Sequence, residues 1–148
     1  MPDTFFDPER RRLAISRLCS LRPDTPRRWG TMTAPRMIAH LSDQMAICLG
    51  DRPSAPMRSP MRLAPLRYLA IHLAPWPKGA KASPDTFMRQ PESWAADLAR
   101  LLAMVLRFGA REPGGAWPDH PRFGRMSGDD WAVLSDRHFD HHLRQFGA

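Results

Sequence analysis

Apolar residues recur along this chain mainly at three- and four-residue intervals, the period of an α-helix. No segment alternates as a half-buried strand does, and no repeat of solenoid or propeller length is visible. Four stretches carry the helical spacing. The first lies in DPERRRLAISRLCSL, where Asp7 is placed to cap and Pro8 suits the first helical position. Leu13, Ile15, Leu18, Cys19 and Leu21 form its apolar side. The second, TAPRMIAHLSDQMAICLG, has Thr33 as its cap and Gly50 as its stop. Between them stand Met37, Ile38, Leu41, Met45, Cys48 and Leu49. The third runs from about Pro91 to Phe108 on Trp94, Leu98, Leu101, Leu102, Val105 and Phe108. The fourth begins at SGDDW and continues to about Phe146. There Ser127 and Asp130 make a capping-box pattern, and Met126 and Trp131 a hydrophobic staple.

The segments between them are rich in proline. MRLAPLRYLAIHLAPWP predicts a short or broken helix, because Pro65 interrupts any longer one. PWPKGAKASPDTFMRQ reads as a long loop, a kind that is usually functional or mobile. It suits a crossover between the second and third main helices. The expected fold is therefore all-α, a four-helix bundle in one domain over residues 1–148, with one or two minor helices in the middle. With the longest connection between helices two and three, a plain up-and-down series is not assumed.

Charge changes this picture little. The net charge is +7, with a pI of about 10.9. Nearly all of it is arginine, Lys78 and Lys81 being the lysines, and only Arg10–Arg12 and Arg27–Arg28 cluster tightly. Spread in this way, the charge bears on solubility and encounter more than on a nucleic-acid footprint, so no nucleic-acid partner is expected. The longest apolar run, Leu101–Leu106, is far too short to span a bilayer. The opening MPDTFFDPERRRLAIS places acids and arginines where a signal peptide needs an apolar stretch. A cytoplasmic protein with no membrane segment and no membrane partner is the expectation. Cys19 and Cys48 do not make a disulfide framework and read as reduced, partly buried thiols.

Candidate chemistry gathers in SDRHFDHHLRQFGA at 135–148, which holds three of the six histidines. His138 and His142 stand four residues apart, on one helix face, where two imidazoles can share a metal ion. His138 and His141, three apart, also share a face, and spacing alone does not separate the two pairs. A third ligand must come from another helix. His40, beside the core-facing stripe of the second helix, is the inward-facing candidate, and a polar ring there needs a partner. Three imidazoles leave coordination positions open, as catalytic rather than structural zinc sites do. His72 and His120 have no comparable companions.

WGTMTAPRMIAHLSD at 29–43, together with HPRFGRMSGDDWAVLSDRHFDHHLRQFG at 120–147, resembles the DinB-like (DinB/YfiT) superfamily, in one of its uncharacterised branches. The resemblance covers essentially the whole chain. It implies a four-helix bundle with a long crossover between helices two and three. It also implies a divalent metal, zinc or nickel, held by one histidine of helix two and an i,i+4 pair of helix four. Carried over, the ligands are His40, His138 and His142, which favours the i,i+4 pair. Characterised relatives include metal-dependent transferases and isomerases that use low-molecular-weight thiols. The resemblance therefore implies a metal-dependent thiol S-transferase acting on a small-molecule electrophile, or a hydrolase if water is the nucleophile. A non-catalytic metal- or ligand-binding stress or sensor bundle is the alternative, and a homodimer is the expected assembly.

Asp43, Asp140 and Gln145 are the candidates to orient the ligands, Asp43 and Gln145 each standing three residues beyond a histidine of the set. Arg137 and Arg144 would attract an anionic substrate or form solvated ion pairs. Trp29, Trp76 and Trp117 fall in loops, where large aromatics line a pocket mouth or pack over bundle ends.

Overall fold

The protein is seen in a computed structural model that describes residues 4–80, 82 and 84–148; Lys81 lies outside the described residues. It is all-helical. Five α-helices follow in order: α1 (Pro8–Cys19), α2 (Ala34–Leu49), the short α3 (Ala64–Tyr68), α4 (Trp94–Gly109) and α5 (Gly128–Gln145). Among the described residues the only β-type pairing is an isolated bridge between His120 and Gly124.

The helix starts follow from their capping chemistry. Asp7 accepts from the Glu9 N–H at 2.9 Å, and Pro8 opens α1. Thr33 accepts from the Arg36 N–H, and Gly50 closes α2 with φ at 77°, a left-handed conformation that costs glycine little. Ser127 and Asp130 exchange both bonds of a capping box at the start of α5. Helix α4 begins at Trp94 rather than near Pro91. The Asp97 carboxylate accepts the N–H groups of Glu92 and Ser93 at 2.9 and 3.2 Å, which fixes the chain entry just before Trp94. Pro65 falls within the first turn of α3, where its missing N–H costs nothing, so it starts that helix instead of breaking one. A π-turn over Leu69–Leu73 continues it.

Helices α1 and α2 each pack against both α4 and α5, so the four long helices close into a bundle with α1 and α2 across from one another. Phe5, Phe108, Phe139 and Trp131 fill the interior and are fully or almost fully buried. Phe5 meets Phe108 and Phe139 at ring distances of 5.4 and 4.9 Å, which fastens the N-terminal segment to α4 and α5. The Trp131 indole donates to the Pro118 carbonyl at 2.9 Å.

Helix α2 departs from a one-sided amphipathic pattern. Its polar residues Ser42, Asp43 and Gln44 are buried along with its apolar ones. The reason is the connection from α2 to α4, residues 50–93, whose 3-10 turn Pro84–Phe87 lies on α2. Arg36 donates to the carbonyls of Phe87 and Arg89 at 3.0 and 2.8 Å. Asp43 accepts from the Arg89 N–H at 2.8 Å and from Arg52 at 3.2 Å, and Arg52 also donates to the Asp85 carbonyl. A buried carboxylate thus ties the crossover down. Cys48 is buried, its thiol pushed up by desolvation, whereas Cys19 is exposed rather than partly buried.

The isolated histidines have structural partners. His72 bonds Asp130 at 2.9 Å. His120 is buried against Trp131, and its Nδ1 accepts the N–H groups of Arg122 and Phe123 at 3.0 and 3.3 Å. Burial, helped by the charge of Arg122, pushes the His120 pKa down to about 3. The folded state therefore prefers the neutral ring. Stability from this group is complete above the unfolded pKa of about 6.5 and drains as pH falls from there toward 3. His120→Asn keeps an acceptor where Nδ1 stands. In urea unfolding, the wild type should lose about 2 kcal/mol more than this variant between pH 7 and pH 5. Equal losses would show that His120 is not a source of the acid sensitivity.

Candidate metal centre

His40 stands in the middle of α2, and His138 and His142 stand one turn apart on α5. All three are nearly closed off, at 2%, 8% and 8% exposure. His138 Nε2 lies 2.9 Å from His40 Nε2 and 3.0 Å from His142 Nε2. The three ligand nitrogens all fall within 4.8 Å of one another. The i,i+4 pair is thus the one brought to His40.

Two of the rings are held from behind. His40 Nδ1 donates to the Thr86 carbonyl at 2.8 Å, and the Phe87 ring stacks on the imidazole at 4.6 Å. His142 Nδ1 donates to Gln145 Oε1 at 2.8 Å. The Gln145 amide is oriented in turn, because its Nε2 donates to the Trp29 carbonyl at 3.1 Å. Gly30 makes that approach workable. Its φ is 76°, and a Cβ there would stand 2.8 Å from Gln145 Nε2.

These bonds place the protons of His40 and His142 on Nδ1, so both Nε2 atoms present lone pairs toward His138. His138 Nε2 carries one proton at most and can donate to only one of them. Its Nδ1 is buried and has no hydrogen-bond partner among the described residues. In either tautomer the three rings alone leave polar atoms unsatisfied, at a cost of about 1–3 kcal/mol each. A shared cation removes the conflict at the Nε2 side. Two nitrogens, each about 2.1 Å from one ion, sit about 3.0–3.4 Å apart at angles between a right angle and a tetrahedral one. The separation of 3.0 Å meets the short end of that range and that of 2.9 Å falls just under it. Three buried neutral imidazoles with converging nitrogens are a donor set that could hold a divalent ion.

Burial sets the protonation. Desolvation lowers the His40 pKa, against the opposing pull of the Thr86 carbonyl and Asp43. It pushes His142 down to about 3, with His40 adding and Gln145 opposing. His138 lies well below the ordinary range, from desolvation first and then its neighbouring histidines. Neutral imidazole is the ligating form.

Of the residues read as orienting groups, only Gln145 touches a triad ring. Asp43 clamps the crossover, as described above. Asp140 pairs with Arg17 and Arg144, each at 2.9 Å, so Arg144 is a solvated ion-pair partner on the helix surface. Arg137 donates to the carbonyls of Ala70, Ile71 and Ala74 and lies over the Trp76 ring, fastening the crossover to α5. Trp76 approaches His138 and His141 at ring distances of 5.9 and 6.2 Å, and Trp29 approaches His141 at 5.8 Å. His141 is half-buried beside the triad, in contact with both indoles and with His142. Trp117 packs on Phe6 and Phe108 under Arg111 and takes no part in the centre. Surface grooves between the 23–27 loop and the start of α2, and along the α1–α5 seam, contain none of the three ligands.

Thr86 and Phe87 were not foreseen. Thr86 acts through its carbonyl, which no side-chain pattern reports. The one available signal was the length of the loop that carries them.

Residues 13–148 match a family described as a protein of unknown function, DUF1569, and the chain belongs to that family. No curated protein and no solved structure shows significant similarity to it.

The tautomers are directly observable. In metal-free protein at pH 6.5, long-range imidazole 15N spectra should show His40 and His142 neutral, with the proton on Nδ1. Half-protonated rings at that pH would contradict the desolvated site.

Proposed function

We propose that His40, His138 and His142 hold one divalent metal ion, zinc or nickel, in a DinB-like bundle, and that the chain is a metal-dependent enzyme. The observation that carries this reading is the convergence of the three Nε2 atoms, two of them with lone pairs fixed inward by Thr86 and Gln145. Three imidazoles leave coordination positions open. His40, His138 and His142 would hold the ion, which would supply Lewis acidity toward a thiol or water at those positions. The resemblance to thiol-using relatives makes a low-molecular-weight thiol the preferred nucleophile and a small electrophile its acceptor, with hydrolysis as the variant in which water replaces the thiol.

The chain's own residues do the positioning. Thr86 and Gln145 hold two ligands in one tautomer, which keeps their Nε2 atoms ready to coordinate. Phe87 and Trp76 cover the rings and keep bulk water away from them. The second reading, a metal- or ligand-binding bundle without turnover, is favoured by one observation: the ligands are almost closed to solvent.

Protein purified without a histidine tag should contain about one divalent ion per chain, measured by inductively coupled plasma mass spectrometry. His138→Ala should lose it. A content far below one, unchanged in that variant, would remove the metal site. Gln145→Leu should keep the fold and weaken metal binding by about 10–100-fold. Metal-loaded protein screened with glutathione, mycothiol and bacillithiol against small electrophiles separates the two readings. No thiol consumption in any pairing, with no hydrolysis of the electrophiles either, counts for the bundle without turnover.

A further inference from the structure

The crossover shows an exposed apolar face that the metal centre does not use. Leu63, Leu66, Leu69 and Leu73 follow one another at about one-turn spacing along α3 and the π-turn, at 63%, 37%, 48% and 64% exposure. Tyr68 of the same helix is exposed too. The opposite side of the same element is firmly docked. Ile71 is fully buried, His72 bonds Asp130, and Arg137 of α5 holds three carbonyls of the turn. The leucines therefore stand outward on a fixed element. Contiguous apolar surface of this kind marks an interaction site.

The charge around it points to one kind of partner. From Arg52 to Pro84 the sequence holds no aspartate or glutamate, while it holds Arg52, Arg58, Arg62, Arg67, Lys78 and Lys81. Arg58 and Lys78, five residues before Leu63 and five after Leu73, are exposed, and the Lys78 ammonium lies over the Trp29 ring at 4.6 Å. Arg52 is paired with Asp43, but a second copy docking here by two-fold symmetry would bring the remaining positive charge against itself. Aliphatic leucines offer little stacking to nucleic-acid bases, and Tyr68 is already stacked on His72 at 4.5 Å. An apolar face bordered by cations fits the interface of an anionic bilayer, where aliphatic side chains enter the acyl boundary and cations meet headgroup phosphates.

We propose that the crossover docks this protein peripherally on an anionic phospholipid surface, through Leu63, Leu66, Leu69 and Leu73 flanked by Arg58 and Lys78. This departs from the expectation of no membrane partner, which rested on the lack of a spanning segment. Surface docking needs no such segment, and no described helix is long and apolar enough to cross a membrane. Trp76 lies three residues beyond Leu73 and packs on His138. The segment that carries the leucines thus also reaches the candidate metal centre through Trp76.

Co-sedimentation of the full chain with vesicles tests this. At low salt the protein should bind vesicles of equal phosphatidylglycerol and phosphatidylcholine, and bind pure phosphatidylcholine at least about tenfold more weakly. Raising the salt to about 0.5 M should release most of it. L69E/L73E should reduce binding about tenfold or more while leaving the far-UV circular dichroism and urea midpoint unchanged, since both leucines are exposed. R58E/K78E should reduce it without touching the apolar face. Absence of binding to the anionic vesicles at low salt overturns the proposal. So does a stable dimer that L69E/L73E dissociates, because the face would then belong to a second copy.

Discussion

Neutral imidazoles crowded into a dry interior are the constraint on which this structure turns. Each ring has a donor side and an acceptor side, and both need partners once water is gone. The donor sides of His40 and His142 find Thr86 and Gln145, and their acceptor sides meet at His138. Charging any one ring would set a cation against desolvation and its neighbours, so burial holds the cluster neutral. A neutral cluster of lone pairs turned to one focus could hold a cation there.

Much of the bundle serves to keep that interior dry. Helix α2 is enclosed because the crossover lies over its polar side, and the crossover stays there through the buried Asp43, Arg36 and Arg52. The same segment delivers the Thr86 carbonyl and the Phe87 ring to His40. At the other end, the capping box of α5 and the burial of Trp131 fix the register that turns His138 and His142 inward together. Gln145 joins the last turn of α5 to the loop before α2 through Trp29, where Gly30 permits the approach. Centre and fold thus share their supports.

Helix existence and caps were legible in the sequence because they depend on local spacing and local hydrogen bonds, whereas spacing left His138–His141 and His138–His142 both open and only the family resemblance chose the i,i+4 pair. Asp7, Thr33, Gly50, Ser127 and Asp130 each do what their position suggested. His40 was legible as an inward polar residue. Roles fixed by tertiary contact were not. Asp43 stands three residues from His40 and was read as its partner, yet it bonds Arg89 and Arg52 across the crossover. Thr86 contributes a backbone oxygen, which has no side-chain signature. The exposed leucines of α3 were read as a minor broken helix, since spacing reports an apolar face without saying whether anything covers it.

X-ray absorption spectroscopy at the edge of the bound metal reports the coordination directly. For protein loaded with one equivalent of zinc, three imidazole nitrogens at about 2.0–2.1 Å, completed by light oxygen or nitrogen scatterers, is the predicted shell. His138→Ala should lose that signature. A shell of sulfur scatterers, or of oxygens without imidazole, would contradict the claim that these three histidines form one metal centre.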